Sequence, residues 1–217
     1  MRAMGKTISK ASKIAEKERL ILVAARDHFL RDGFVVASMD AIARTADVSV
    51  KTIYSHFANK DELFSKVMIA ACTDNLLSSE TPSEQVLRER FPWFRKATRK
   101  GLLEVGHIYL GHLLLPEQLA LYRVVTRDAD RFPELGRHYQ KNIAAGRTGI
   151  LAAYLRSIAA KRGLAGRNAW EDAAIYEALL RSGIFESALH GLLTVTPEEI
   201  ARQAASAAKT MWQLLHA

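Results

Sequence analysis

The run DVSVKTIYSHFANKDELF, residues 47–64, sets a row of hydrogen-bond donors on a segment whose apolar spacing is helical. Ser49, Lys51, Thr52, Tyr54 and His56 crowd together, and Lys60 follows where a second helix would begin. They form neither a core stripe nor a solvated charge face. Short hydroxyls approach phosphate oxygens closely at little entropic cost. A lysine at a helix start adds a cation beside backbone N–H groups that already favour an anion. An α-helix fits the major groove of B-DNA, and donors near its N-terminal end reach base edges or phosphates. Taken singly, each of these residues is ordinary surface polarity. Taken together they describe a face for duplex nucleic acid.

Other chemistries find little support. His107 and His112 are five apart and do not share a helix face as i,i+4 metal ligands do. Gly146-Arg147-Thr148-Gly149 lacks the strand and the lysine of a phosphate loop. Asp128 and Asp130, beside Arg127 and Arg131, read as an exposed charged corner. No serine or cysteine has a base at a recognisable spacing, so neither an enzyme nor a metal site is expected. Cys72 is the only cysteine. It reads as a small core residue, and its isolation fits a reducing compartment. The start lacks an apolar signal-peptide region. The longest apolar runs, such as Leu113 to Leu115, fall far short of the ~18 residues of a membrane span. A cytoplasmic protein is expected, with no membrane partner.

The donors need elements to hold them. Glycine and proline are few, no stretch alternates with period two, and the chain reads as all-α with about nine helices. The net charge is +8 over 217 residues. Residues 1–60 carry eleven Lys/Arg against six Asp/Glu, an excess of five, so most of the imbalance sits in about a quarter of the chain. A first helix is expected from about Lys13 to Arg31, with Gly33 as its left-handed stop. Ser38 caps a short helix to Ala46. Asp47 stands where the chain must turn, a place for glycine that aspartate tolerates better than most residues. Ser49 caps a third helix to Phe57, and Asn59 with Glu62 forms a capping box for a fourth, Lys60 to about Leu77. Val48, Ile53 and Phe57 should pack on Ile42 and the first helix. That turns Lys51, Thr52, Ser55 and His56 outward, with Tyr54 at the margin.

Beyond, Thr81-Pro82-Ser83-Glu84 opens a helix toward Leu115 that Pro92 should kink or split. Further helices are expected at 117–127, at 133–163 with weak points at Gly146 and Gly149, from Asn168 to about Leu189, and from Thr196 to about Leu215.

Residues 38–64, SMDAIARTADVSVKTIYSHFANKDELF, resemble the N-terminal signature of the TetR family of transcriptional regulators. The resemblance rests on Ser38, Ile42-Ala43, Val48-Ser49, Thr52-Ile53-Tyr54, His56-Phe57, Asn59-Lys60, Glu62 and Leu63, with Phe29 and Gly33-Phe34 upstream. Asp47 departs from the usual turn glycine, and Lys51 stands where glycine or proline is common. The resemblance implies phosphate contacts by Ser38, Thr52, Tyr54 and Lys60. It also implies that Ser49, Val50, Lys51 and His56 face the groove, Val50 reading only a thymine methyl. The basic arm before Lys13 either reaches the DNA or does nothing. Residues 114–139 are similar to the C-terminal domain of a subgroup related to efflux and stress regulators.

The resemblance divides the chain into a DNA-binding helix-turn-helix domain, 1–60, and a ligand-binding and dimerisation domain, 61–217. It implies a homodimer on a double-stranded palindromic operator, acting as a repressor that a small-molecule inducer releases. No other cofactor is implied. In the last two helical segments, stripes mixing alanine with large apolar residues suit a four-helix interface between subunits. The candidate interface residues are Trp170, Ala174, Ala178, Phe185, Ala204, Ala208, Met211 and Trp212, although packing within one subunit would explain the same stripes. Trp93, Phe94, Tyr109, Tyr122 and Phe132 are candidates for a pocket, but core packing explains them better and none is assigned. The competing function is a helical binding or scaffolding protein whose basic arm meets acidic partners without operator specificity.

Overall fold

In the computed structural model, residues 10–73, 84–164 and 166–216 are described, and every regular element among them is helical. The basic arm ahead of Lys10, the extension of the fourth helix to Leu77 and the Thr81-Pro82-Ser83 cap lie outside the described residues. So do the side chains of Cys72 and Trp93. No helix among the described residues is long and apolar enough to cross a membrane.

The chain divides into two compact units. The first is Met1–Ala71 with Val124–Gly136, and the second is Cys72–Arg123 with Arg137–Ala217. That division falls within the last turn of the fourth helix, and a distant segment joins the first unit. The reason is aromatic packing. Phe64 stacks edge-on with Phe29 at 4.9 Å and lies 4.7 Å from Phe132, centroid to centroid, while Phe34 meets Phe132 at 4.9 Å. A helix whose first two turns bury Leu63 and Phe64 cannot be parted from the core it fills.

In the first unit, α1 (Lys10–Val36), α2 (Met39–Thr45) and α3 (Val50–His56) pack pairwise, and α4 (Lys60–Thr73) follows. Regular helix in α1 is interrupted at Gly33, where φ is 75° and ψ 179°. Only glycine adopts that conformation readily, and a Cβ there would also collide with the Arg127 guanidinium. Ser38 Oγ accepts from Ala41 N at 3.0 Å and caps α2. The turn after α2 is a Schellman motif: Val48 N donates to Ala43 O at 3.0 Å and Asp47 N to Arg44 O at 3.3 Å. Asp47 holds the left-handed position at φ 53°, in the place of the usual turn glycine.

The second unit contains α5 (Glu84–Arg90), a 3₁₀ turn at Pro92–Arg95, α6 (Arg99–Leu113) and most of α7 (Pro116–Asp128). Pro92 thus splits the helix rather than kinking it. Next come α8 (Pro133–Tyr139), whose first residues belong to the first unit, a π turn at Gln140–Ala144, and α9 (Ala145–Arg162) ending at left-handed Gly163. The expected weakness near Gly146 appears as the π turn just ahead of it. The segment from Asn168 is two helices, α10 (Ala169–Arg181) and α11 (Ile184–Leu189), because Gly183 at φ 77° breaks it. Last is α12 (Pro197–Leu214), held by the Thr196–Glu199 capping box. Helices α6, α9, α10 and α12 enclose the core, with Tyr154 and Tyr176 fully buried. Their hydroxyls donate to Lys96 O and Leu102 O, each at 2.6 Å, so neither is left unsatisfied.

Candidate nucleic-acid interface

The platform under the donor row is apolar and closed. Ile42, Ile53 and Phe57 are fully buried. His28, from α1, shares a 2.9 Å hydrogen bond between its Nε2 and Thr45 Oγ1 at the end of α2. These contacts hold α2 and α3 against α1 and leave the opposite face of α3 to solvent.

On that face Lys51 and Ser55 are exposed, and Tyr54 is 51% exposed. No hydrogen-bond partner holds the Tyr54 hydroxyl among the described residues, so it is available to a phosphate oxygen. Val50 and Thr52 are half-buried. Ser49 Oγ accepts from Thr52 N at 3.0 Å and lies 2.9 Å from Thr52 Oγ1. The two hydroxyls therefore form one small unit at the start of α3, each part of the cap and each with capacity for one more partner. Ser38 is exposed at the start of α2 and occupied in the same way by its cap.

Two residues are placed differently from the sequence reading. His56 does not face outward. Its side chain is only 12% exposed, and its Nδ1 lies 3.8 Å from the Glu18 carboxylate of α1. Position 56 follows Ile53 by three, which puts it on the buried side of a seven-residue helix. Lys60 is turned back: its Nζ donates to Val35 O at 3.3 Å and sits 4.6 Å over the Phe34 ring. Loss of hydration, then the nearby Arg131 cation, draws the Lys60 amine below its ordinary range. The expected capping box at Asn59 is also altered. Asn59 Oδ1 accepts from Glu62 N at 2.8 Å, but Glu62 returns its carboxylate to Ala58 N, at 2.7 Å.

Arg131, which the sequence reading left in an exposed charged corner, packs over the same Phe34 ring as Lys60. Its guanidinium lies 4.5 Å from the Phe34 ring on the side chain of a remote segment, and it pairs with Asp61 at 3.0 Å. Nothing local marks it, because its neighbours along the chain are a mixed charged run.

In the second unit the proposed contact residues separate into two groups. Trp170, Ala174 and Ala178 lie exposed along α10, with Trp212 half-buried. Phe185, Ala204, Ala208 and Met211 are wholly buried inside the protomer and cannot meet a partner. Ala204, Ala208 and Met211 point into the core that α12 shares with α6 and α10. The exposed side of α12 carries Ala201, Ala205 and Leu214 instead. Both sides are alanine-rich, so the sequence stripe did not choose between them.

Residues 21–67 match the model of bacterial regulatory proteins of the tetR family, and residues 100–214 match that of the AefR-like transcriptional repressor C-terminal domain. The HTH-type transcriptional activator FasR of Mycolicibacterium smegmatis is 40% identical over 102 residues, 47% of this chain and 46% of that protein. The chain spans less than half the length of the curated relatives it matches. Among solved structures, a TetR-family regulator from Mesorhizobium loti superposes with a TM-score of 0.73 at 24% identity, over 93% of this chain and 98% of that one. The flavonoid-responsive regulator FrrA superposes at 0.66 with 26% identity, over 92% and 97%.

Proposed function

Because the chain belongs to the TetR family, with a C-terminal domain of the AefR-like repressor type, we propose that it is a cytoplasmic, sequence-specific DNA-binding regulator. The observation that carries this is the solvent face of α3. Lys51, Tyr54 and the Ser49–Thr52 hydroxyl pair stand outward there on an aromatic and aliphatic platform that is fully buried. Lys51 and Val50 face base edges. Tyr54, Thr52, Ser49 and Ser38 contact phosphates. Lys60 reaches a phosphate by giving up its 3.3 Å bond to Val35 O, a weak contact to surrender.

Two copies act together through the exposed faces of α10 and α12, where Ala174, Ala178, Ala201 and Ala205 permit close approach. The operator is a near-palindrome with half-sites about 34–36 Å apart. The protein represses, and a small molecule bound in the second unit releases it. The AefR-like repressor match supports the first of these statements, and the responsiveness of the similar regulator FrrA supports the second.

Selection from a random duplex library, followed by footprinting, tests the reading. A two-fold symmetric site, competed poorly by random duplex, is the expected product. Equal affinity for every duplex in the library would establish the competing reading of a basic protein without operator specificity.

A further inference from the structure

The core of the second unit holds a cation without a counter-charge. Arg147, on the first turns of α9, is 3% exposed. Its Nη2 donates to the Tyr139 hydroxyl at 2.9 Å, and no carboxylate lies within 4.0 Å of it among the described residues. Its Nε and Nη1 have no acceptor among the described residues. A guanidinium stays protonated at any physiological pH, so it cannot escape by neutralising. An unpaired buried charge costs several kcal/mol.

The acid nearby is already engaged. Glu177 accepts from the Tyr109 hydroxyl and from Thr148 Oγ1, both at 2.7 Å, and faces Arg181 at 3.5 Å. Arg181 in turn lies 4.1 Å over the Phe185 ring. The one carboxylate of this cluster is thus paired with Arg181, which leaves two cations, Arg147 and Arg181, against a single negative charge among the described residues. His112 adds no charge, since burial, and then the Arg147 cation, push its imidazole toward the neutral form. Tyr109 and Tyr139 stay protonated for the same reason of burial.

The π turn contributes to the placement. Eight residues of α-helix, at about 100° each, would leave Tyr139 and Arg147 roughly 80° apart around the axis. A wider turn absorbs about one residue of that rotation and returns both to one side. Such turns are common at functional sites.

Arg147 forms part of the wall of a narrow cleft whose other walls are Phe91, Val105, Ile108, Tyr109, Ile150 and Leu151. Its volume is about 30 Å³, and Ile108, at 43% exposed, stands at its mouth. Apart from Arg147 and the Tyr109 hydroxyl, these walls are apolar.

We propose that Arg147 anchors a small-molecule monocarboxylate whose apolar body lies between α6 and α9. This deepens the reading of the second unit as a ligand domain and rests on it. The planar fork of the guanidinium matches a carboxylate. One negative charge balances the surplus of one positive charge, whereas a dianion such as phosphate would leave a buried charge of the opposite sign. The cleft as it stands holds little more than a water molecule. The ligand's apolar part must therefore displace Ile108 and part α6 from α9.

The test is calorimetric titration of the full chain, without DNA, using octanoate and benzoate against octanol and benzamide, with inorganic phosphate as a third arm. At least one carboxylate should bind, and its neutral counterpart should bind at least about thirtyfold more weakly, as loss of a buried charge partner implies. Arg147→Gln and Arg147→Met should abolish the discrimination while operator binding without ligand persists. Failure of both carboxylates to bind, equal binding of acid and neutral analogue, or preference for phosphate would overturn the assignment. Should Arg147→Gln not fold, the comparison of acid with neutral analogue on the unaltered protein still decides. Operator binding without carboxylate binding refutes this proposal alone, and carboxylate binding without operator binding refutes only the regulatory reading.

Discussion

Ser49 carries two duties that substitution can separate. Its Oγ caps α3 by accepting from Thr52 N at 3.0 Å, and with Thr52 Oγ1 it forms the hydroxyl pair offered to a phosphate. Ser49→Ala removes the cap and should cost about 1 kcal/mol of stability. In a chain of this length that lowers the melting temperature by about 2–4 °C. Ser49→Asp keeps the cap, because aspartate serves as well as serine there, and gains about 0.3–1 kcal/mol from the helix dipole. On DNA the order reverses. A carboxylate about 6 Å from a phosphate is repelled by roughly 0.7 kcal/mol at the permittivity of water and by roughly 3 kcal/mol at an effective value of about 20. Affinity should fall about tenfold or more for each α3 engaged, and a dimer engages two. Ser49→Ala should lose only a few-fold, since the Thr52 hydroxyl remains. Circular-dichroism melting and fluorescence anisotropy on the selected operator read the two quantities on the same samples. Aspartate should be the more stable protein and the weaker binder. If stability and affinity fall together across both variants, or if Ser49→Asp binds like the parent, then α3 does not face phosphate in the way argued.

Tyr54→Phe combined with Lys60→Ala should leave the helical spectrum intact and weaken operator binding, and full affinity of the double variant near 150 mM salt, where screening extends only ~8 Å, would contradict the assigned face. Lys60→Ala alone should also cost a little stability, because its Nζ–Val35 O bond ties the start of α4 to the end of α1. Gly33→Ala should destabilise the protein by about 2 kcal/mol or more in urea unfolding, since alanine is strained at φ 75° and its Cβ would displace the Arg127 guanidinium. His112 should make stability pH-dependent. Its folded-state pKa lies below the ordinary 6.5, chiefly through burial. Its stabilising contribution is thus complete above pH 6.5 and is lost as pH falls through the folded value. Melting temperatures across that window should decline, and His112→Gln should flatten the decline.

Much of the local structure was readable from residue types alone. Ser38, Ser49, Asn168 and Thr196 each cap a helix by accepting from an N–H two or three residues ahead. That interaction is complete within one turn, so a sequence window contains all of it. Asp47 and Gly33 follow the same logic, because a positive φ is a property of one residue and its immediate neighbours. Pro92 broke its helix for want of an N–H. The fold class and the outward placement of Lys51 and Ser55 were legible in the same way, whereas Tyr54, expected at the margin, proves to be 51% exposed.

The rest depended on which surfaces meet. Helix α12 has small residues on both sides, and only packing on α6 and α10 decided that Ala204, Ala208 and Met211 go inside while Ala201 and Ala205 stay out. His56 looked like one more donor in a row, yet the α1 surface carrying Glu18 drew it inward. Arg131 joined the first unit from far along the chain through the ring of Phe34, and Arg147 has no carboxylate within 4.0 Å among the described residues, Glu177 being held by Tyr109, Thr148 and Arg181. Caps and backbone angles are set by atoms a few bonds away, so sequence determined them. The burial of a charge, or the choice of a helix face, is set by atoms that only the folded chain brings near.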